Sequence, residues 1–243
     1  MNPEPPPLEA ERYPFWGWSD VLVFAGMAIP CILLGFGIVK VAFWMFRLHP
    51  KVQTGELLLA QFAGYALLFT TLYGILRWKY DRSFWESLAW TKPRIGVGRI
   101  LLAGLGAVVS VTVLGLVIQT PNTNNPMLDL LKDRISIVLI AIFGVTLGPL
   151  CEELAFRGFL QPLLVRSLGT VPGILAAALP FGLLHFQEYG NSWKHVLLIS
   201  LAGAAFGWMR HVTGSTKAAT IMHAAYNAIE FAAFLAQTKL PAQ

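Results

Sequence analysis

The chain has 243 residues, 56% of them hydrophobic and only 13% charged, with a mean hydropathy of +0.60. A soluble domain carries about 25% charged residues, so this composition excludes an ordinary soluble globule and points to an integral membrane protein. The net charge of +5 is no nucleic-acid footprint either, because the positive residues sit at the ends of apolar segments, where topology and anionic headgroups account for them. Long apolar runs, rather than weakly alternating segments of about ten residues, predict helices and not a barrel. The expected fold is all-α: a polytopic membrane helical bundle of about seven to eight transmembrane helices. Cys31 and Cys151 both lie in apolar segments, and no CxxC pair is present, so neither a disulfide framework nor a cysteine metal motif is expected.

Residues 1–20 read as a polar tail. Pro3, Pro5, Pro6 and Pro7 favour an extended polyproline conformation, and Tyr13, Phe15, Trp16 and Trp18 read as an interfacial anchor. The tail has no basic region ahead of the first apolar run, so that run is expected to persist as a membrane anchor. The first span is Val21–Phe46, with Pro30 as a kink and Lys40 able to snorkel. Leu57–Leu76 is the second. A basic loop follows, holding Arg77, Lys79, Arg82, Lys92, Arg94 and Arg99, with Phe84, Trp85 and Trp90 as an amphipathic turn. Leu101–Ile118 is the third span, in which Gly104, Gly106, Ala107 and Ser110 permit close helix packing.

Thr120–Arg134 is a turn-rich loop, since the run from Pro121 to Pro126 cannot sit in lipid. Ile135–Arg166 is a long segment with a break expected at Gly148-Pro149. Val171–Phe186, His195–Met209 and Lys217–Ala236 complete the spans, with Gly203 and Gly207 framing a small-residue packing face. The chain thus divides into the tail, N-terminal membrane helices over 21–134 and a membrane core over 135–237. The basic second loop places the N-terminus on the cytoplasmic side of a multi-pass protein, expected in a bacterial inner membrane. His49, His195 and His211, with Trp44, Trp78, Trp193 and Trp208, fall at segment ends and read as interfacial.

Within the core, Glu152, Glu153 and Arg157 interrupt an otherwise apolar run. A charge near the bilayer centre costs about 2.5–3.5 kcal/mol on the mildest scale, so such groups face the protein interior and mark function by default. A plain packing cluster is the competing reading, and the later histidines weigh against it. At about 1.5 Å per residue, Glu152 falls about 3 Å from the middle of a span running to Arg166. His185 falls about 6 Å to the other side of its span, and His223 about 5 Å from the middle of the last, on the side of Glu152. Glu153 and Arg157, Phe181 and His185, and His223 and Asn227 are each i,i+4 pairs, so each pair shares a helix face.

Glu152-Glu153-x-x-x-Arg157, Phe181-x-x-x-His185 and His223-x-x-x-Asn227 resemble, in order, the three motifs of the CAAX protease and bacteriocin-processing (Abi) family of intramembrane endopeptidases. The resemblance runs from about Ile135 to Ala236 and rests on the three motifs together. It implies a glutamate- or metal-dependent, CAAX-type endopeptidase that hydrolyses peptide bonds of a membrane-associated or prenylated peptide or protein. By motif position Glu152 is the expected base that activates a water, with His185 helping to hold it. His223 and Asn227 are the expected donors to the oxyanion, with Glu153, Arg157 and Phe181 in support. No cofactor is demanded; zinc is an option, with Glu152, His185 and His223 as its donors, although HExxH is absent. No GxSxG elbow and no aspartate within the expected spans offers another protease chemistry. Two other functions compete: a non-catalytic immunity or scaffold protein of the same family, and a small transporter, which the lack of an inverted repeat disfavours.

Overall fold

The computed structural model describes residues 13–48, 52–121, 130–131 and 133–237, and these are helical without a strand. The expectations for Pro3 to Pro7, His49 and the run 122–126 fall outside them. The helices are α1 (Trp18–Met45), α2 (Gln53–Gly74, continued by a π-helical turn Ile75–Lys79), the short α3 (Phe84–Ser87), α4 (Val97–Val117) and α5 (Arg134–Val145). They are followed by α6 (Leu147–Glu153), a π-helical segment Leu154–Leu160, α7 (Gln161–Leu168), α8 (Thr170–Leu184), α9 (Trp193–Thr213) and α10 (Thr216–Gln237).

Five of these stretches are long and apolar enough to cross a membrane: Trp18–Met45, Gln53–Lys79, Val97–Val117, Arg134–Leu168 and Trp193–Thr213. The other two expected spans are helices that differ in kind. Thr170–Leu184 is apolar but only 15 residues long, and Thr216–Gln237 is long but carries polar side chains along its length.

The helix break in the core lies at Thr146, whose backbone angles are φ −119° and ψ −76°, not at Gly148-Pro149. A proline in the first turn of a helix forfeits no hydrogen bond that would otherwise form. Pro149 therefore sits inside the first turn of α6, and the chain restarts just ahead of it. Asp133 begins the whole segment by accepting from the Ser136 amide at 2.9 Å, an N-cap of the usual kind.

Two clusters hold the bundle. The first joins α1, α2 and the π-helical segment through Trp16, Phe24, Leu72, Leu76, Leu154 and Phe159. The second joins α4, α9 and α10 through Ile100, Phe206, Met209 and Met222. The α1–α2 contact is close because a Cβ on Gly35 would lie 2.5 Å from the Gly64 amide nitrogen. Trp16 corrects the interfacial reading of the entry segment. It is 0% exposed, donates from its indole to the Phe159 carbonyl at 3.0 Å and stacks on the Phe159 ring. Buried Trp needs a partner for its N–H, and the π-helical segment supplies one. Asp20, assigned to the tail by sequence, lies in the first turn of α1, buried and bound to Lys79 and Tyr80. Trp44, Trp78, Trp193 and Trp208 remain on the outer surface.

Candidate active site

Glu152 and Glu153 end α6, and Arg157 lies one turn on in the π-helical segment. Such segments concentrate at functional sites because the extra residue per turn re-aims side chains. Adjacent residues on a helix point about 100° apart, and the two glutamates accordingly have different surroundings. Glu153 is 0% exposed; its Oε1 accepts from Arg157 Nη1 at 2.9 Å and from His223 Nδ1 at 3.0 Å. The Glu152 side chain is 25% exposed and accepts no hydrogen bond from any described residue; its Oε2 lies 3.8 Å from His223 Nε2. That distance is too long for a hydrogen bond.

Arg157 is 1% exposed and donates from both of its terminal nitrogens. Nη2 donates to the Gly203 carbonyl at 2.7 Å, and the guanidinium lies 4.4 Å from the Phe181 ring centroid. This is where the small-residue face of α9 matters: a Cβ on Gly203 would lie 2.8 Å from Phe181 and 2.9 Å from Arg157 Nη2. Gly203→Ala is therefore expected to displace Arg157 or Phe181 and to destabilise the fold by about 1–3 kcal/mol, the usual cost of overpacking. Thermal unfolding in lipid checks it.

His223 comes from α10 and is 4% exposed. A carboxylate can only accept, so Nδ1 carries the proton given to Glu153 and Nε2 is left facing Glu152. Its ring stacks on Phe206 with centroids 4.4 Å apart and meets Phe181 edge-on at 5.7 Å. Asn227, one turn along α10, donates through Nδ2 to the Gly144 carbonyl at 2.8 Å, which ties α10 to the end of α5. One N–H of the amide is spent there and one is left.

His185 stands just past the last residue of α8, not within it. Its Nδ1 bonds the Phe181 carbonyl at 2.9 Å, and a carbonyl fixes the proton on Nδ1 and leaves Nε2 as the free nitrogen. Among the described residues no hydrogen bond or ion pair links His185 to Glu152 or His223; its ring is joined to the cluster through Phe181, 5.1 Å away. In the following turn Glu188 lies within electrostatic reach of both His185 and Glu152. Burial pushes its carboxyl above the ordinary range, His185 pulls it down and Glu152 pushes it up again.

The structure thus brings Glu152, Glu153, Arg157 and His223 together directly, with Phe181 beneath them and His185 and Asn227 at the margins. Among the described residues no three His, Cys, Asp or Glu side chains converge to hold a metal ion. Sequence reading missed Phe206, the Gly203 carbonyl and Gln161, whose Nε2 donates to the Gly207 carbonyl at 2.9 Å. The signal for the glycines was present, since both belong to the small-residue face. Nothing in the sequence singled out Phe206 from the other apolar residues of α9.

The model of the family described as type II CAAX prenyl endopeptidase Rce1-like matches residues 134–229. No curated protein and no solved structure matches the chain.

Proposed function

We propose, from the premise that residues 134–229 are of the Rce1-like family of type II CAAX prenyl endopeptidases, that this chain hydrolyses a peptide bond of a membrane-associated or prenylated substrate with a water activated by Glu152. At the coarser level the family is one of intramembrane proteases, and the five membrane-long helices fit an integral membrane protein. The observation that carries the finer reading is the split between the two carboxylates. Glu153 is sealed and already holds Arg157 and His223, whereas Glu152 is partly open and accepts no hydrogen bond from a described residue. A base must reach the water it deprotonates, and Glu152 is the carboxylate with that access.

In the proposed reaction Glu152 takes a proton from water as the oxygen adds to the scissile carbonyl. The carbonyl oxygen becomes an oxyanion, served by the second N–H of Asn227, with His223 Nε2 as a further donor whenever that nitrogen carries a proton. The C–N bond then breaks as Glu152 returns its proton to the leaving amine. His185, with Nε2 free, orients the water. Glu153 and Arg157 hold His223 in place, and no step requires a metal.

The experiment is cleavage of a panel of membrane-tethered and prenylated peptides by the purified chain in lipid, with and without chelator. Cleavage untouched by chelator is expected. Cleavage lost to chelator and restored by zinc would replace the glutamate–water reading with a metal one. A folded protein that cuts nothing in the panel would favour a non-catalytic immunity or scaffold role.

A further inference from the structure

A second polar feature lies on the far side of the Glu153–Arg157 pair, where the chain enters α1 and where α7 and α9 end. It is a cavity of about 240 Å³ whose lining includes Tyr13, Arg157, Gln161, Arg166, Arg210 and His211. Of its three guanidinium groups, only that of Arg157 is paired with a carboxylate among the described residues, that of Glu153. Arg166 donates to the backbone carbonyls of Pro14 and Trp16. Arg210 donates from Nε to the Thr216 hydroxyl at 3.0 Å and from Nη2 to the Tyr13 hydroxyl at 3.3 Å. Among the described residues no carboxylate is in ion-pair reach of Arg166 or Arg210, and all their partners are neutral.

Part of this placement has an ordinary cause. Arg166, Arg210 and His211 occupy the last turns of α7 and α9, where the helix dipole favours cations. The dipole does not explain why both guanidinium groups line one cavity together with a hydroxyl and an imidazole. Nor does it explain Gln161, which is 3% exposed and whose Oε1 has no hydrogen-bond partner among the described residues. The cavity offers two guanidinium forks with no carboxylate in ion-pair reach among the described residues, a set that suits an anion.

It also lies where such an anion would be met. Tyr13 donates to the Ser87 carbonyl and Thr216 to the Leu88 carbonyl, so the cavity abuts the basic loop that marks the anionic leaflet. Beside it, Leu168, Trp208 and Val212 turn apolar surface outward. We infer that this cavity binds a phosphate group, with Arg166 and Arg210 forked onto its oxygens. Arginine is the side chain whose planar fork matches phosphate geometry. The source is either the headgroup of an anionic phospholipid, its chains lying on Leu168, Trp208 and Val212, or free phosphate.

The test uses the full chain in nanodiscs of phosphatidylcholine, read by thermal unfolding. One arm exchanges part of the lipid for phosphatidylglycerol; the other adds inorganic phosphate. A rise of about 5 °C is expected in one arm, and the arm that shows it identifies the source. Arg210→Gln should cut the rise to less than half. Arg77→Gln, on the same basic loop but outside the cavity, should preserve it. A rise in neither arm, or one that survives Arg210→Gln intact, overturns the inference. Should Arg210→Gln fail to fold, photoactivatable phosphatidylglycerol and a photoactivatable phosphate ester decide on the wild type. Labelling of the peptides around Tyr13, Arg166 and Arg210 supports the site, and labelling confined elsewhere removes it. None of these readouts depends on peptide cleavage.

Discussion

Glu152→Gln is expected to lower peptide cleavage by about 10²–10⁴-fold, the usual contribution of a general base, while leaving the fold intact. The amide keeps the shape of the carboxylate and removes its basicity. Glu152 is part-exposed and accepts no hydrogen bond from a described residue, with His223 Nε2 at 3.8 Å, so the stability change should stay within about 0.5 kcal/mol. Glu153→Gln is the informative contrast. It leaves the Arg157 guanidinium, 1% exposed, without the carboxylate it is paired with among the described residues, and should cost stability as well as activity. Initial rates on a membrane-tethered peptide and unfolding temperatures in the same lipid separate the two. Near-wild-type cleavage by Glu152→Gln would take the base role away from Glu152.

What the sequence made legible follows from what lipid penalises. Glu152, Glu153, Arg157, His185, His223 and Asn227 stand out because each is polar in a run where polarity is costly. Their i,i+4 spacing then fixes common faces, as the Glu153–Arg157 contact at 2.9 Å shows. Apolar partners carry no such mark. Phe206 stacks on His223, yet on paper it is one more phenylalanine among 16. Trp16 resembled a belt residue because aromatic residues near a span end usually are; its burial depends on Phe159, 143 positions away, a pairing no local pattern encodes. The break at Thr146 was displaced onto Pro149 for a similar reason. Proline is read as a breaker wherever it occurs, and its tolerance in a first turn depends on where the helix has already begun. Helix α8 was expected to run through His185 because the apolar stretch does. It stops at Leu184, and that puts His185 on a turn with Glu188.

Arg157→Met is expected to be the most destabilising single change in the site. Arg157 reaches the sealed Glu153 carboxylate with Nη1 and the Gly203 carbonyl of α9 with Nη2, so it joins the acidic helix to its neighbour. Removing it leaves a charge with 0% exposure held only by His223. Breaking one partner of a buried ion pair typically costs about 3–5 kcal/mol, because the other charge stays desolvated and unpaired. Lysine cannot rescue this completely: a single ammonium cannot place two donors in the fixed fork that spans Glu153 and Gly203. Arg157→Lys should therefore fall between wild type and Arg157→Met. The decisive comparison is the double variant Glu153→Gln with Arg157→Met. If the cost of Arg157→Met comes from an orphaned charge, neutralising that charge returns part of the stability, and the double variant unfolds at a higher temperature than Arg157→Met alone. The coupling expected for a contacting pair is about 0.5–3 kcal/mol. Simple addition of the two single costs would show instead that Arg157 acts through Gly203 and the Phe181 ring, as a packing bridge between helices rather than as the counter-charge of Glu153.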